Sequence, residues 1–242
     1  MRSQRESSPA LVLLPGLLCD RDVWAGQIAA LGESCIVPQY QNLDSIVAMA
    51  GKVLDEAPPR FALAGHSMGG RVALEVVRAA PERISRLALL DTGYEARKAG
   101  EPGEEEARGR RHLVDVARER GMRAMGGEWV QGMVHPAHLA DSVLIERILA
   151  MIERQTPAAH AAQIRALLER PDASDVLPQI RCPTLIACGR EDLWSPLERH
   201  QAMAALIPGS ELVVIEHCGH MSTMEQPAAV TAAMRRWLQQ GG

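Results

Sequence analysis

The stretch from Phe61 to Val77 reads FALAGHSMGGRVALEVV, and its character changes in the middle. Phe61 to Ala64 are apolar without alternation, as in a strand covered on both faces. From Val72 onward the pattern is helical. Between the two, Gly65-His66-Ser67-Met68-Gly69 puts a serine where strand must turn directly into helix. A junction that sharp forces its central residue into a strained backbone conformation, and the residues two before and two after must be small for strand and helix to approach. Gly65 and Gly69 meet that requirement. The hydroxyl of Ser67 is then held out above the C-terminal edge of a sheet. The plainer reading is a glycine-rich turn that happens to contain a serine.

The same alternation extends to both sides. Apolar runs at Ala10–Gly16 (ALVLLPG), Cys35–Tyr40 (CIVPQY), Arg86–Gly93 (RLALLDTG), Pro183–Gly189 (PTLIACG) and Glu211–His217 (ELVVIEH) join Phe61–Ser67 as predicted strands. Helical patterns lie between them at Val23–Leu31, Ser45–Glu56, Met68–Ala80, Leu197–Leu206 and Pro227–Gln239. Ser195 before Pro196 reads as an N-cap with proline at the first helical position. Strand and helix in succession predict an α/β fold with a doubly wound, mostly parallel six-stranded sheet. The rhythm stops from about Tyr94 to Pro178, where charged and alanine-rich helical segments are punctuated by Gly100 to Gly103 and by Gly126-Gly127. The expected organisation is a core of residues 1–93 and 179–242, with 94–178 inserted as a helical cap.

The 242 residues are 47% hydrophobic and 23% charged, an ordinary globular balance in a chain long enough for one sizeable core. A net charge of -4, with no basic run interleaved with aromatics, gives no general attraction to nucleic acid or to anionic membrane. No segment approaches the roughly 20 apolar residues of a spanning helix. Arg2 and Arg5 ahead of ALVLLPGLL hint at a secretion signal, but Pro15-Gly16 breaks the run and no small-residue cleavage site follows. Cys19, Cys35, Cys182, Cys188 and Cys218 are dispersed and form no C-x-x-C pair, which predicts a reduced, cytoplasmic protein. Cys182, Cys188, His217 and His220 match no zinc spacing, so neither metal nor cofactor is expected. The expected partner is a small molecule, and the expected state a monomer or small homo-oligomer.

A serine hydroxyl is a poor nucleophile until a base takes its proton, and the base needs a third group to fix its tautomer. His220, in HCGHMSTMEQP, follows the last predicted strand on a loop at the same sheet edge as Ser67, whereas His217 sits at the strand end before the turn. Asp192, in ACGREDLWSP, stands in the loop after Pro183–Gly189; its neighbour Glu191 is expected to face away. Asp91, closing LALLD, is the rival carboxylate, with capping of its own loop as its ordinary role. Loop placement and the chain order Ser, Asp, His that accompanies such an elbow favour Asp192 and His220. The other six histidines are expected mostly at the surface. Acyl transfer also needs donors for the oxygen that becomes negative. The backbone N–H of Met68, directly after the nucleophile, and that of Leu17, in the loop LLPGLLCD, are the candidates.

From LVLLPGLLCDRDVW through GHSMGG, LALLDTG and PTLIACGREDLWSP to CGHMSTMEQP, the chain resembles the α/β-hydrolase superfamily. It is most similar to compact bacterial esterase-like members, a group that includes pimeloyl-carrier-protein methyl esterases and 3-oxoadipate enol-lactonases. The resemblance covers nearly the whole sheet domain and is weak in the cap. It implies Ser67 as nucleophile, Asp192 as orienting acid, His220 as base, and Leu17 and Met68 as oxyanion donors. Many relatives carry His-Gly where this chain has Pro15-Gly16, and longer ones begin with an extra strand pair. Here only a short polar segment precedes Ala10, so a trimmed sheet is expected.

The implied activity is hydrolysis of carboxylic esters of small molecules through an acyl-enzyme. The same residues suit a lactonase or a carbon–carbon bond hydrolase, and the fold also suits a ligand receptor that does not turn over. Trp129, Trp194 and Met221 are candidates to line the substrate pocket. Met122, Met125, Met133, Met151 and Met224 fit helix packing better than a pocket wall. Most arginines of the cap have glutamates near enough in sequence to pair with.

Overall fold

A computed structural model describes residues 10–32 and 35–240. The readings made on the segment before Ala10 lie outside them. Strands β1 (Ala10–Leu14), β2 (Cys35–Ile36), β3 (Phe61–His66), β4 (Ile84–Leu90), β5 (Thr184–Gly189) and β6 (Glu211–Ile215) form one parallel sheet in the order β2-β1-β3-β4-β5-β6. All six stand where the apolar runs predict them, and all but β5 have shorter C-terminal ends. β2 is cut to two residues, since Pro38 has no N–H to give to a ladder. β4 starts two residues earlier than expected and stops at Leu90, because Asp91 takes a left-handed backbone (φ 49). β6 stops at Ile215, and His217 (φ 51) lies in the loop beyond rather than at the strand end.

Parallel strands need crossovers, and helices supply them on both faces of the sheet. Before β4 come α1 (Ala25–Leu31), led in by a 3-10 turn at Arg21–Trp24, α2 (Ile46–Glu56) and α3 (Met68–Ala79). In α2 the Ser45 hydroxyl accepts the Ala48 N–H, and Ile46, Met49, Ala50 and Val53 form the buried stripe. Every residue of β3 is buried, and so are Leu11 to Leu14 and Leu87 to Leu90, which is why these strands lack alternation. Each large aliphatic side chain buried there contributes about 1.5–3 kcal/mol.

Between β4 and β5 there is no strand among the described residues, but four helices: α4 (Glu101–Arg120), α5 (Met122–Trp129), α6 (Ser142–Glu153) and α7 (Pro157–Leu168). Helix α4 packs on α5 and α7, and α5 on α6. Of the glycines expected to punctuate this region, Gly100 does so as the N-cap of α4 (φ 72), but the others do not. Gly126 and Gly127 lie inside α5, with Gly126 turned toward Leu149 and Ile152 of α6, and Gly103 lies in the first turn of α4. After β5 come α8 (Leu197–Leu206), α9 (Ser222–Glu225) and α10 (Pro227–Gln239), the last packed on α1. Helix α8 spans the predicted Leu197–Leu206, but Pro196 is its N-cap rather than its first helical residue, and Ser195 serves another purpose described below. Among the described residues no helix is long and apolar enough to cross a membrane.

Strands β1 and β3 are neighbours, but the chain leaves β1 toward β2 and leaves β3 toward β4, on opposite sides. Their C-terminal loops therefore diverge and open a crevice, the place where sheets of this kind bind ligands. Leu17 stands in one of those loops and Ser67 heads the other.

Candidate active site

Ser67 has φ 54 and ψ -119, a conformation that costs a non-glycine residue about 1–3 kcal/mol. Its surroundings hold it there. The Ser67 N–H donates to the Leu90 carbonyl at 2.9 Å, and the Ser67 carbonyl accepts from Gly70 N–H at 2.9 Å and from the Thr92 hydroxyl at 2.6 Å. The two glycines are required by contact. A Cβ on Gly65 would lie 2.3 Å from the Gly69 carbonyl oxygen, and one on Gly69 would lie 2.3 Å from that of Leu14.

The half-buried hydroxyl meets the imidazole arriving from the loop after β6. His220 Nε2 lies 2.7 Å from Ser67 Oγ, and His220 Nδ1 lies 2.8 Å from Asp192 Oδ2. An ionised carboxylate only accepts, so Nδ1 carries the proton and Nε2 is left free to accept from the serine. The other oxygen of Asp192 accepts the N–H of Trp194 at 2.8 Å and of Ser195 at 2.9 Å, which is what Ser195 does in place of capping α8. Burial opposes the charge on Asp192, but His220 and these N–H donors outweigh it and hold the carboxyl below its usual range. Burial likewise opposes charge on His220, and the Asp192 carboxylate beside it outweighs burial and raises the imidazole above its ordinary value.

A second set of buried groups fixes this row from behind. His66 Nε2 lies 2.9 Å from the His220 carbonyl oxygen, which can only accept, so His66 is protonated on Nε2. Burial first, then the neighbouring His220, lower the His66 imidazole to about 4, so it is neutral near pH 7. Asp91, the rival carboxylate, is fully buried beside it. Its Oδ1 accepts the Gly189 N–H at 3.0 Å, and its Oδ2 makes a short contact with the Ser222 hydroxyl. Burial and the charge of Asp192 push Asp91 well above the carboxylate range. Glu191 does not simply face away: its carboxylate accepts the Cys218 N–H at 3.0 Å.

Sequence reasoning missed Glu225. Its buried carboxylate accepts N–H groups of Gly219 (3.0 Å) and Met221 (3.1 Å) on the His220 loop, and of His135 (2.7 Å) in the segment between β4 and β5. The Met133 carbonyl also takes the His220 N–H at 2.8 Å. The segment between β4 and β5 thus grips the loop that carries the imidazole. Nothing in the sequence distinguishes Glu225 from the exposed glutamates, since its role depends on a contact ninety residues away in the chain.

The loop after β1 is held in a similar way. Leu18 has φ 59, and its N–H donates to Gln163 Oε1 of α7 at 2.9 Å. Arg154, at the C-terminal cap of α6, binds Asp20 in the same loop at 2.8 Å. The Leu17 and Met68 N–H groups are given to no protein acceptor among the described residues. Gln163 was not foreseen either.

A cleft of about 220 Å³ opens beside Ser67 and His220, and Leu17, Met68, Trp129, Met133 and Trp194 line it. Met221 does not. It is fully buried in the core behind the His220 loop, so its assignment to the pocket is corrected. Met122, Met125, Met151 and Met224 are buried packing residues, as expected. The histidines are less superficial than expected, because His66, His160 and His200 are all buried. His200 Nε2 accepts the Thr92 N–H at 3.0 Å and thereby supports the turn next to Ser67.

A parallel sheet with this elbow at its switch point defines an α/β hydrolase, and the chain belongs to the alpha/beta hydrolase family, whose model matches residues 11–233. Among individual proteins, it is similar to an esterase from Thermogutta terrifontis, solved with malate bound. The two are 31% identical, with 96% of this chain and 90% of that one covered and a TM-score of 0.85. The pimeloyl-[acyl-carrier protein] methyl ester esterase of Nitrosomonas europaea is 27% identical, with 91% of this chain and 92% of that protein covered. The enol-lactonase from Burkholderia xenovorans LB400, at 22% identity, shares the fold over 98% of this chain and 94% of its own, with a TM-score of 0.84.

Proposed function

We propose that the protein hydrolyses carboxylic esters of small molecules through an acyl-enzyme formed on Ser67. The observation that carries this is the unbroken row of hydrogen bonds from Ser67 Oγ through His220 to Asp192, opening on the switch-point crevice. Ser67 attacks the ester carbonyl as His220 Nε2 removes its proton. The N–H groups of Leu17 and Met68 receive the tetrahedral oxyanion. The imidazolium then protonates the departing alcohol, and in the second half the neutral ring activates water to release the acid. Asp192 stays ionised throughout and keeps the proton of His220 on Nδ1.

The helical segment 94–178 acts as a cap. It contributes Glu106, Arg110, Trp129, Met133, Leu167 and Arg170 to the cleft wall and braces both the His220 loop and the loop after β1. The free thiols of Cys19, Cys182, Cys188 and Cys218 suit a reducing cytoplasm. Ester hydrolysis by relatives of 27–31% identity supports the same reading. The test is turnover of a short-chain aryl ester by Ser67→Ala, which should fall by ~10⁴ to 10⁶ if the three residues act as a unit. Full activity in that variant removes Ser67 from the mechanism.

A further inference from the structure

Four guanidinium groups line the small cleft beside Ser67: Arg71, Arg110, Arg170 and Arg199. Glu106 is the one carboxylate among its lining residues, and it is already shared. Arg170 grips it with both terminal nitrogens, at 2.7 and 2.9 Å, and Arg110 Nε adds a third bond at 2.9 Å. Burial works against the charge on Glu106, but these two arginines overcome it and bring the carboxyl down to about 2.

Arg71 and Arg199 are left over. Arg71 donates to the backbone carbonyl of Glu95 at 2.8 Å and meets no carboxylate at ion-pair distance among the described residues. Arg199 Nη1 donates to the Trp194 carbonyl at 3.0 Å, and its Nε lies 3.9 Å from the half-exposed carboxylate of Glu95. The two side chains converge on Gly93. A Cβ there would stand 2.8 Å from Arg71 Nη2 and 2.9 Å from Arg199 Cδ, so only a glycine leaves both in place. Burial first, then repulsion from Arg170, Arg199 and Arg110, pull the Arg71 guanidinium well below its ordinary range. A guanidinium has five N–H donors matched to a planar carboxylate, and here most of them are uncommitted in a crevice against like charge. Arg71 is also four residues past Ser67, one turn along α3, or about 6 Å of axial rise.

We infer that the cleft selects esters carrying a second, free carboxylate, which docks between Arg71 and Arg199 while the ester carbonyl meets Ser67. The cavity volume of about 220 Å³ limits the spacer to a few carbons, so the substrate class is the monoester of a short dicarboxylic acid. Bound there, the carboxylate supplies the negative charge that Arg71 lacks and forms charge-assisted hydrogen bonds. The inference rests on Ser67 being the attacking group, but anion binding itself does not.

Two measurements separate these points. The first compares kcat/KM for monomethyl glutarate and methyl pentanoate, which differ by a carboxylate in place of a methyl. The charged ester should be preferred by roughly tenfold or more at low ionic strength, with the preference shrinking as salt rises. The ratio should fall by about tenfold or more in Arg71→Met and, separately, in Arg199→Met. The second is calorimetric binding of glutarate to the unmodified protein and to the two variants, which needs no turnover. Saturable, salt-sensitive binding that either substitution weakens supports the carboxylate site between Arg71 and Arg199 even if Ser67 proves not to be a nucleophile. Equal kcat/KM for the two esters, or a ratio and a glutarate affinity unchanged in both variants, overturns it.

Discussion

Replacing Asp192 with asparagine probes how the fold sets the tautomer of His220. Asp192 Oδ1 accepts two backbone N–H groups, from Trp194 and Ser195, while Oδ2 faces His220 Nδ1. An asparagine has one oxygen. Placing it at Oδ1 keeps both backbone bonds and turns the NH₂ toward the imidazole; placing it at Oδ2 drives the NH₂ against two N–H donors in a site that is only 2% exposed. Each buried donor left unsatisfied costs about 1–3 kcal/mol, so the first arrangement wins by several kcal/mol. His220 must then accept at Nδ1, carry its proton on Nε2, and point a donor at Ser67 where an acceptor is needed. A base in the wrong tautomer lowers turnover by about 10⁴, or roughly 5 kcal/mol of barrier. The assay is steady-state hydrolysis of an aryl ester, with thermal unfolding in parallel to show that Asp192→Asn still folds. A folded variant within tenfold of the parent activity would refute the tautomer argument and the assignment of Asp192 with it.

The pH profile carries a sign of its own. The base must be neutral to act, and in the native protein His220 sits above the ordinary imidazole value of 6.5. kcat/KM should therefore fall on the acid side along a single-proton limb centred above pH 6.5, and a limb at or below it would contradict the pairing with Asp192. Gln163→Leu removes the acceptor of the Leu18 N–H and loosens the loop that presents Leu17. kcat should drop by up to ~10²-fold with little change in KM, since an oxyanion donor acts chiefly in the transition state. Gln163→Glu, which keeps an acceptor, should recover most of the loss; no recovery would mean that the packing of α7, not the hydrogen bond, matters.

How much of this was legible beforehand follows from how local each determinant is. The elbow could be read because its three small or polar residues fall within five positions, and Gly65 meets Gly69 directly, although the contact that demands Gly69 is with Leu14 of β1. The strands could be read because a sheet buried on both faces leaves uninterrupted apolar runs. Their ends could not, because they are set by left-handed residues such as Asp91 and His217, types that also occur in ordinary strands and loops. Ser195 misled for a related reason: its neighbour Pro196 mimics a helix start, while its N–H is claimed by Asp192. Glu225 and Gln163, and the supporting role of the elbow residue His66, were invisible because their partners come from distant parts of the chain. Met221 was misplaced because adjacency to His220 in sequence says nothing about which side of the loop its side chain takes.

The most direct test of the central claim is covalent labelling with a fluorophosphonate, followed by proteolysis and mass mapping. Stoichiometric phosphonylation of Ser67, slowed sharply in His220→Ala, is the expected result, since the reagent reacts only with a serine whose proton is being taken. Modification at any other residue, or unhindered labelling of Ser67 without the imidazole, would contradict the account.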